Sequence, residues 1–252
     1  MSLAKGAATR AGASIMEVYN SRKFSTELKQ GESPLTTADK NAHSIIQQIL
    51  KESGLPILSE EGIDVDFRQR RSWKYFWLID PLDGTKEFIN KNGEFTVNIA
   101  LMKGDRAIAG VIYIPCSDIL YYGSAQKGIY KIEKGNVTRL TPLPERRKWD
   151  DLVKKEGLRI VASRSHQSPE TRVLIDQFKN AELLSKGSSL KFMLLLEDKA
   201  DIYPRLGRTM EWDTAAAHAI LNASNRGIYQ TNLKSELIYN KPDLENPFFI
   251  AF

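Results

Sequence analysis

The stretch Trp77–Ile89, WLIDPLDGTKEFI, constrains this chain more than any other. An apolar run from Tyr75 to Ile79 reads as a buried strand, yet it stops at Asp80, and Asp83 follows just before Gly84-Thr85. An ionised carboxylate is costly to bury unless it is paired or binds a metal. A simple turn needs one acid. Two at the carboxyl end of an apolar strand occupy the usual crevice position of sheet proteins, and Pro81 stiffens the link between them.

Other acids fall on faces that the pattern marks as buried. Asp39 shares a helical stripe with Ala42, Ile46 and Ile49, and Asp213 stands in the same relation to Ala216, Ala217 and Ile220. Glu60 and Glu61 close the short apolar run LPILSEEG. Carboxylates gathered this way suit Mg²⁺, which prefers oxygen ligands and keeps water for exchange with substrate phosphate. Each acid also has a plainer reading. Asp39 and Asp213 serve as helix N-terminal acids favoured by the dipole, Asp83-Gly84 as an ordinary turn, and Glu60-Glu61 as a solvated one.

The rest of the chain predicts a layered α/β protein. An amphipathic first helix carries Ala4, Ala7, Ala8, Ala11, Ile15 and Val18 on one stripe. A second helix carries Ala42, Ile45, Ile46, Ile49 and Leu50, and Gly54-Leu55-Pro56 ends it. Strand-like segments YFWLI, FTVNIALM, AIAGVIYI, ILYYG and GIYKI follow, separated by short turns as in antiparallel neighbours. Past the charged, proline-bearing stretch TPLPERRKWDDLVKKEG, strands alternate with helices. The expected division is an α+β half over 1–141, holding metal and phosphate, and an α/β half over 142–252 that binds substrate.

Net charge is +5, a mild excess favouring anionic partners. The densest basic cluster, Arg68, Arg70 and Arg71, reads as a solvated loop rather than a nucleic-acid stripe. The single cysteine, Cys116, excludes an internal disulfide and reads as a small buried thiol. No apolar stretch approaches the ~20 residues of a membrane span. The expectation is a cytoplasmic protein, monomer or homodimer, with peripheral attachment at the inner face of the membrane as the alternative.

WLIDPLDGTKEF, with ILSEEG upstream and EWDTAAAHAI downstream, resembles the signature set of the inositol monophosphatase superfamily. The segments GEFTVNIAL, SRSH, GSSLKF and YPRLG are similar to its CysQ-type 3′(2′),5′-bisphosphate nucleotidase branch. The resemblance implies the αβαβα sandwich shared with fructose-1,6-bisphosphatase and a cluster of two or three Mg²⁺ ions. Its metal ligands fall on Glu60, Asp80, the backbone carbonyl of Leu82, Asp83 and Asp213, with Asp80 bridging two ions. Its water-activating pair falls on Thr85 with Asp39, and phosphate rests on Gly84 and Thr85. The implied reaction takes adenosine 3′,5′-bisphosphate, a by-product of sulfate assimilation, to AMP and phosphate, with sensitivity to lithium.

The choice of branch turns on cations. The inositol enzymes continue the motif as Gly-Thr-Thr-Asn-Phe, whereas this chain has Gly84-Thr85-Lys86-Glu87-Phe88. Each phosphomonoester carries about −1.5 to −2 charges, so a bisphosphate asks for positive groups besides the metals. Lys86, Lys191, Arg164 and Arg205 are the candidates. For the lysines the plainer reading is an aliphatic stem on apolar surface with the charge in water; Ser188 and Ser189 read either as donors to phosphate or, more plainly, as helix caps. His43 and His218 read as ordinary packing or surface residues, His166 in SRSH as a residue that could approach substrate, and no histidine is required as general base. The Asp-Gly-Thr triplet also suggests a phosphatase with an aspartate nucleophile in Asp-x-Asp-Gly-Thr, but Pro81 occupies the position that motif gives to its first acid. Two rivals stay open: an inositol or sugar monophosphatase, and a non-catalytic nucleotide-binding protein.

Overall fold

The computed structural model describes residues 1–21, 26–28, 34–163 and 169–252. Among these, the helices are α1 (Ser2–Asn20), α2 (Thr37–Leu50), α3 (Phe67–Arg70), α4 (Thr85–Ile89), α5 (Trp149–Leu152), α6 (Pro169–Ile175), α7 (Leu190–Leu196) and α8 (Glu211–Ala223). Strands β1 (Thr26–Leu28) and β2 (Pro34–Thr36) form a small antiparallel pair. Then β3 (Ile57–Ser59), β4 (Tyr75–Asp83), β5 (Thr96–Lys103), β6 (Arg106–Ile114), β7 (Ile119–Ser124), β8 (Gly128–Glu133) and β9 (Asn136–Leu140) build one sheet in chain order. All its neighbours are antiparallel except β3 and β4.

A second set of strands covers the other half. β10 (Arg159–Ser163) runs parallel to β11 (Glu182–Lys186), and Ile160 meets Ile202 in a parallel bridge. That bridge adjoins β12 (Tyr203–Arg205), which with β13 (Ile228–Gln230) flanks β14 (Phe249–Ala251).

Side-chain alternation along the pleat builds the layers. In β4, Trp77 and Ile79 join the core under α1 and α2, with Ala7, Ala11, Ile15, Ala42, Ile46 and Leu50. Phe76 and Leu78 face the opposite way, into a core with Leu195, Ala216 and Ile220 of α7 and α8, and with Tyr203 and Phe249 of the second strand set. Trp149, Leu174 and Ile175 from α5 and α6 then cover Ile160, Ile202 and Ile250 on the far side. The order is helices, sheet, helices, sheet, helices, the αβαβα sandwich. Helix α8 lies very close to the large sheet because Gly110 of β6 has no side chain: a Cβ there would sit 2.0 Å from Ala216 O.

Several expectations need correction. Cys116 is exposed, not buried; its Sγ lies 3.7 Å from Met16 Sδ, and desolvation pushes the thiol pKa up. The basic cluster is not a solvated loop throughout, since Arg70 is 2% exposed. Its guanidinium donates to Asn240 Oδ1 at 2.9 Å and Pro242 O at 2.9 Å. Strand β9 goes unread because its side chains are largely exposed and show no apolar alternation. A tight turn holds it, with Lys134 and Gly135 both at positive φ (51° and 78°), as hairpin twist favours. Strands β3 and β14 span three residues each, too few to show a period.

Candidate metal centre

The ladder between β3 and β4 brings the first acids level. Ser59 pairs with Ile79, and Glu60 N donates to Ile79 O at 3.2 Å, which sets Glu60 beside Asp80. Asp80 shares the pleat parity of Phe76 and Leu78 and so belongs to the face under α8. The β4–β5 register then slips between Asp80 and Asp83. Such an irregularity re-aims side chains, and Leu82 N donates to Asp80 Oδ1 at 3.0 Å. Asp213 arrives from the first turn of α8, where its Oδ2 accepts from Met210 N at 2.8 Å. It is therefore both a helix-terminal acid and a member of the cluster. Carboxylate oxygens of Asp80, Asp83 and Asp213 all lie within 4.8 Å of one another.

The charges in this crevice oppose one another. Burial pushes the Asp80 carboxyl well above the usual range, and Glu60, Asp83, Asp213 and Asp39 push it further. Asp213 is raised by burial, Asp83 and Glu60, against the bond from the Met210 amide. Like charges this close are relieved by protonation, the direction of the raised pKa values, or by a bound cation. All donors are oxygen, the set that hard divalent ions select. The residues fit such an ion.

A hydrogen-bonded shell holds the cluster. In β5, Thr96 and Asn98 have the parity of Ala100 and Met102, so two polar side chains face the α7/α8 layer. Ser188 donates to Asp83 Oδ2 at 2.5 Å, and the Thr96 hydroxyl lies 2.6 Å from Ser188 Oγ. Asn98 Nδ2 donates to Ser189 Oγ at 3.0 Å, and Ser189 donates to Asp213 O at 3.2 Å. Neither serine caps α7: Ser189 occupies the cap position without a side-chain cap bond. Sequence reasoning passed over Thr96 and Asn98. Their inward parity within an apolar strand was the available signal.

The phosphate candidates are unevenly placed. Gly84, at φ +93°, leads into α4, and a Cβ there would stand 3.2 Å from both Glu94 O and Ser188 Cβ. Thr85 is half-buried, its Oγ1 3.5 Å from Leu82 O. Lys86 is exposed in the same short helix. Lys191 is 5% exposed, donates to Ser188 O at 2.5 Å, and lies 5.3 Å from the Tyr203 ring centroid. Burial draws its pKa down to about 8, with Asp83 acting against the fall and Arg205 adding to it. Arg205 is half-buried and donates to Arg208 O at 2.9 Å; its charge also lowers Asp213. Asp39 is 2% exposed in the first turn of α2, within electrostatic reach of Asp80. Arg164 and His166 lie outside the described residues. His43 is half-buried and bonds Ser59 Oγ at 2.9 Å; His218 is buried, 2.8 Å from Tyr239 Oη and 3.3 Å from Glu236 Oε2.

The sequence matches the inositol monophosphatase family over residues 1–245. It is 39% identical to the 3′(2′),5′-bisphosphate nucleotidase CysQ of Salmonella typhimurium over 245 residues, covering 96% of this chain and 95% of that one. The CysQ nucleotidase of Buchnera aphidicola is 41% identical, over 92% of this chain and 84% of its own. The crystal structure of CysQ from Bacteroides thetaiotaomicron superimposes with a TM-score of 0.84 at 43% identity, covering 99% of this chain and 95% of the other.

Proposed function

The chain belongs to the inositol monophosphatase family, and within it we propose a magnesium-dependent phosphomonoesterase that converts adenosine 3′,5′-bisphosphate to AMP and phosphate. The observation that carries the metal-dependent chemistry is the meeting of Asp80, Asp83 and Asp213 oxygens within 4.8 Å. The substrate rests on the relatives' named activity and on Lys191 and Arg205, both within electrostatic reach of Asp213, with Lys86 next to Thr85 in α4.

Glu60, Asp80, the Leu82 carbonyl, Asp83 and Asp213 would hold the ions. Bound magnesium supplies Lewis acidity for the attacking water and for the leaving oxygen. The chain does the rest. Amides of Gly84 and Thr85, at the opening of α4, orient the 3′-phosphate. Thr85 Oγ1 takes a proton from the attacking water and passes it to the Asp39 carboxylate, a positioned base of the kind that contributes about 10²–10⁴-fold. As the water oxygen bonds to phosphorus, the bond from phosphorus to the 3′ oxygen breaks, and that oxygen leaves as an alkoxide that takes its proton from solvent water. Lys191 Nζ, Arg205 and Lys86 bind the remaining phosphate; Arg164 belongs to the same proposed set.

Phosphate release from adenosine 3′,5′-bisphosphate and from inositol monophosphate, compared in one assay with Mg²⁺, tests the reading. Faster release from the nucleotide is expected. Equal or faster release from the inositol ester overturns the substrate. Nucleotide binding with no release at all overturns the catalysis.

A further inference from the structure

The elements bearing Glu60 and Asp213 come from opposite ends of the chain, and a buried clasp joins them. From β3 the chain runs through Glu60, Glu61 and a short loop into α3, whose last residue is Arg70. Arg70 Nη1 donates to Asn240 Oδ1 at 2.9 Å, Asn240 Nδ2 donates back to Arg70 O at 3.0 Å, and Arg70 Nη2 donates to Pro242 O at 2.9 Å. Asn240 N then donates to Glu211 Oε2 at 2.5 Å, and Lys241 N to Glu211 Oε1 at 3.1 Å. Glu211 opens α8, two residues before Asp213. The same C-terminal segment holds that turn again: Glu211 N donates to Leu244 O at 2.9 Å and Asn246 Nδ2 to Met210 O at 2.6 Å.

All three members are withdrawn from water: Arg70 is 2% exposed, Asn240 9% and Glu211 0%. Buried ionic groups of this kind often add little net stability relative to apolar packing. Their bonding here is directional, and each bond fixes either the end of α3 or the first turn of α8. We propose that Arg70, Asn240 and Glu211 are positioning residues that set Asp213 against Glu60 across the two halves of the metal centre. The inference rests on the reading that these acids hold divalent ions.

Mn²⁺ binding, followed by the free-ion signal in electron paramagnetic resonance, tests it without requiring turnover. Asn240→Ala removes both side-chain bonds to Arg70, and Arg70→Lys keeps the charge but loses the fork. Trp149→Ala, in the outer α5/α6 layer, serves as a control that lowers stability elsewhere. The two clasp variants are expected to bind Mn²⁺ roughly 10-fold more weakly, the low end of the loss seen when a group that orients a metal ligand is removed, whereas Trp149→Ala keeps wild-type affinity at a comparable fall in Tm. Clasp variants with lowered Tm but wild-type Mn²⁺ affinity overturn the proposal, leaving the metal reading intact. A wild-type chain that binds no Mn²⁺ overturns both.

Discussion

Ser188 Oγ donates to Asp83 Oδ2 at 2.5 Å, which ties the loop before α7 to the end of β4. Ser188 holds this position at φ +48°, a backbone conformation uncommon outside glycine. Orientation of an acid by a neighbour's hydroxyl matters most where the acid has to meet a metal. Ser188→Ala leaves the backbone demand unchanged and removes only the hydroxyl. It is expected to raise the Mg²⁺ concentration for half-maximal phosphate release by about 10–100-fold. An unchanged Mg²⁺ requirement would show that Thr96 and Asn98, each 3.4 Å from the same oxygen, suffice.

Asp83→Asn preserves shape and deletes a charge from the centre of the cluster. Turnover should nearly vanish. Thermal stability should hold or rise, because Asp83 is among the charges that push up Asp80 and Asp213. Phosphate-release kinetics beside a melting curve decide it, and wild-type kcat in this variant speaks against the site.

Lys191 should trade stability for substrate binding. Its folded pKa, about 8, lies below the ordinary 10.5, so its buried charge opposes folding fully below pH 8. That opposition fades as pH climbs from about 8 through the unfolded value, where the unfolded chain binds the extra proton. Each pH unit between the folded and unfolded values is worth ~1.4 kcal/mol, which makes the penalty about 3 kcal/mol. Lys191→Met is therefore expected to stabilise the protein at pH 7 and to lose most of that gain by pH 11, while KM for the bisphosphate rises. Denaturant titrations at the two pH values measure the first effect. A variant less stable than wild type at pH 7 contradicts it.

Lys86, exposed beside the turn at Gly84-Thr85, serves the second phosphate in the proposed mechanism. Lys86→Ala should raise KM for adenosine 3′,5′-bisphosphate more than KM for a monophosphate ester. An equal effect on both removes Lys86 from the choice of substrate.

Much of this arrangement was legible in the residues alone. The apolar stripes of α1 and α2 are local patterns, and Ala4, Ala11, Ile15, Ala42 and Ile46 all lie in the predicted core. The incongruity of Asp80 and Asp83 at the end of YFWLI is local too. What escaped had no local signal or was misread by type. Arg70 looks like one more surface arginine until Asn240 is seen opposite its guanidinium. Ser188 and Ser189 look like caps because serines before helices usually are; β5 offers them other partners. Cys116 ends an apolar strand, but the short turn at Pro115–Ser117 leaves it exposed.

The linear order of residues settled the long helices α1 and α2 and the apolar strands β4 to β8, and that acids would stand where burial is expensive. Both follow from spacing and solvation, which act on each segment by itself. Only the folded chain decided that Glu60 lies beside Asp80, that Asp213 closes the cluster, and that Thr96, Asn98 and Ser188 orient it. Those relations depend on strand register, on α8 settling over Gly110, and on contacts between segments remote in sequence, whose energies exist only once both partners are in place.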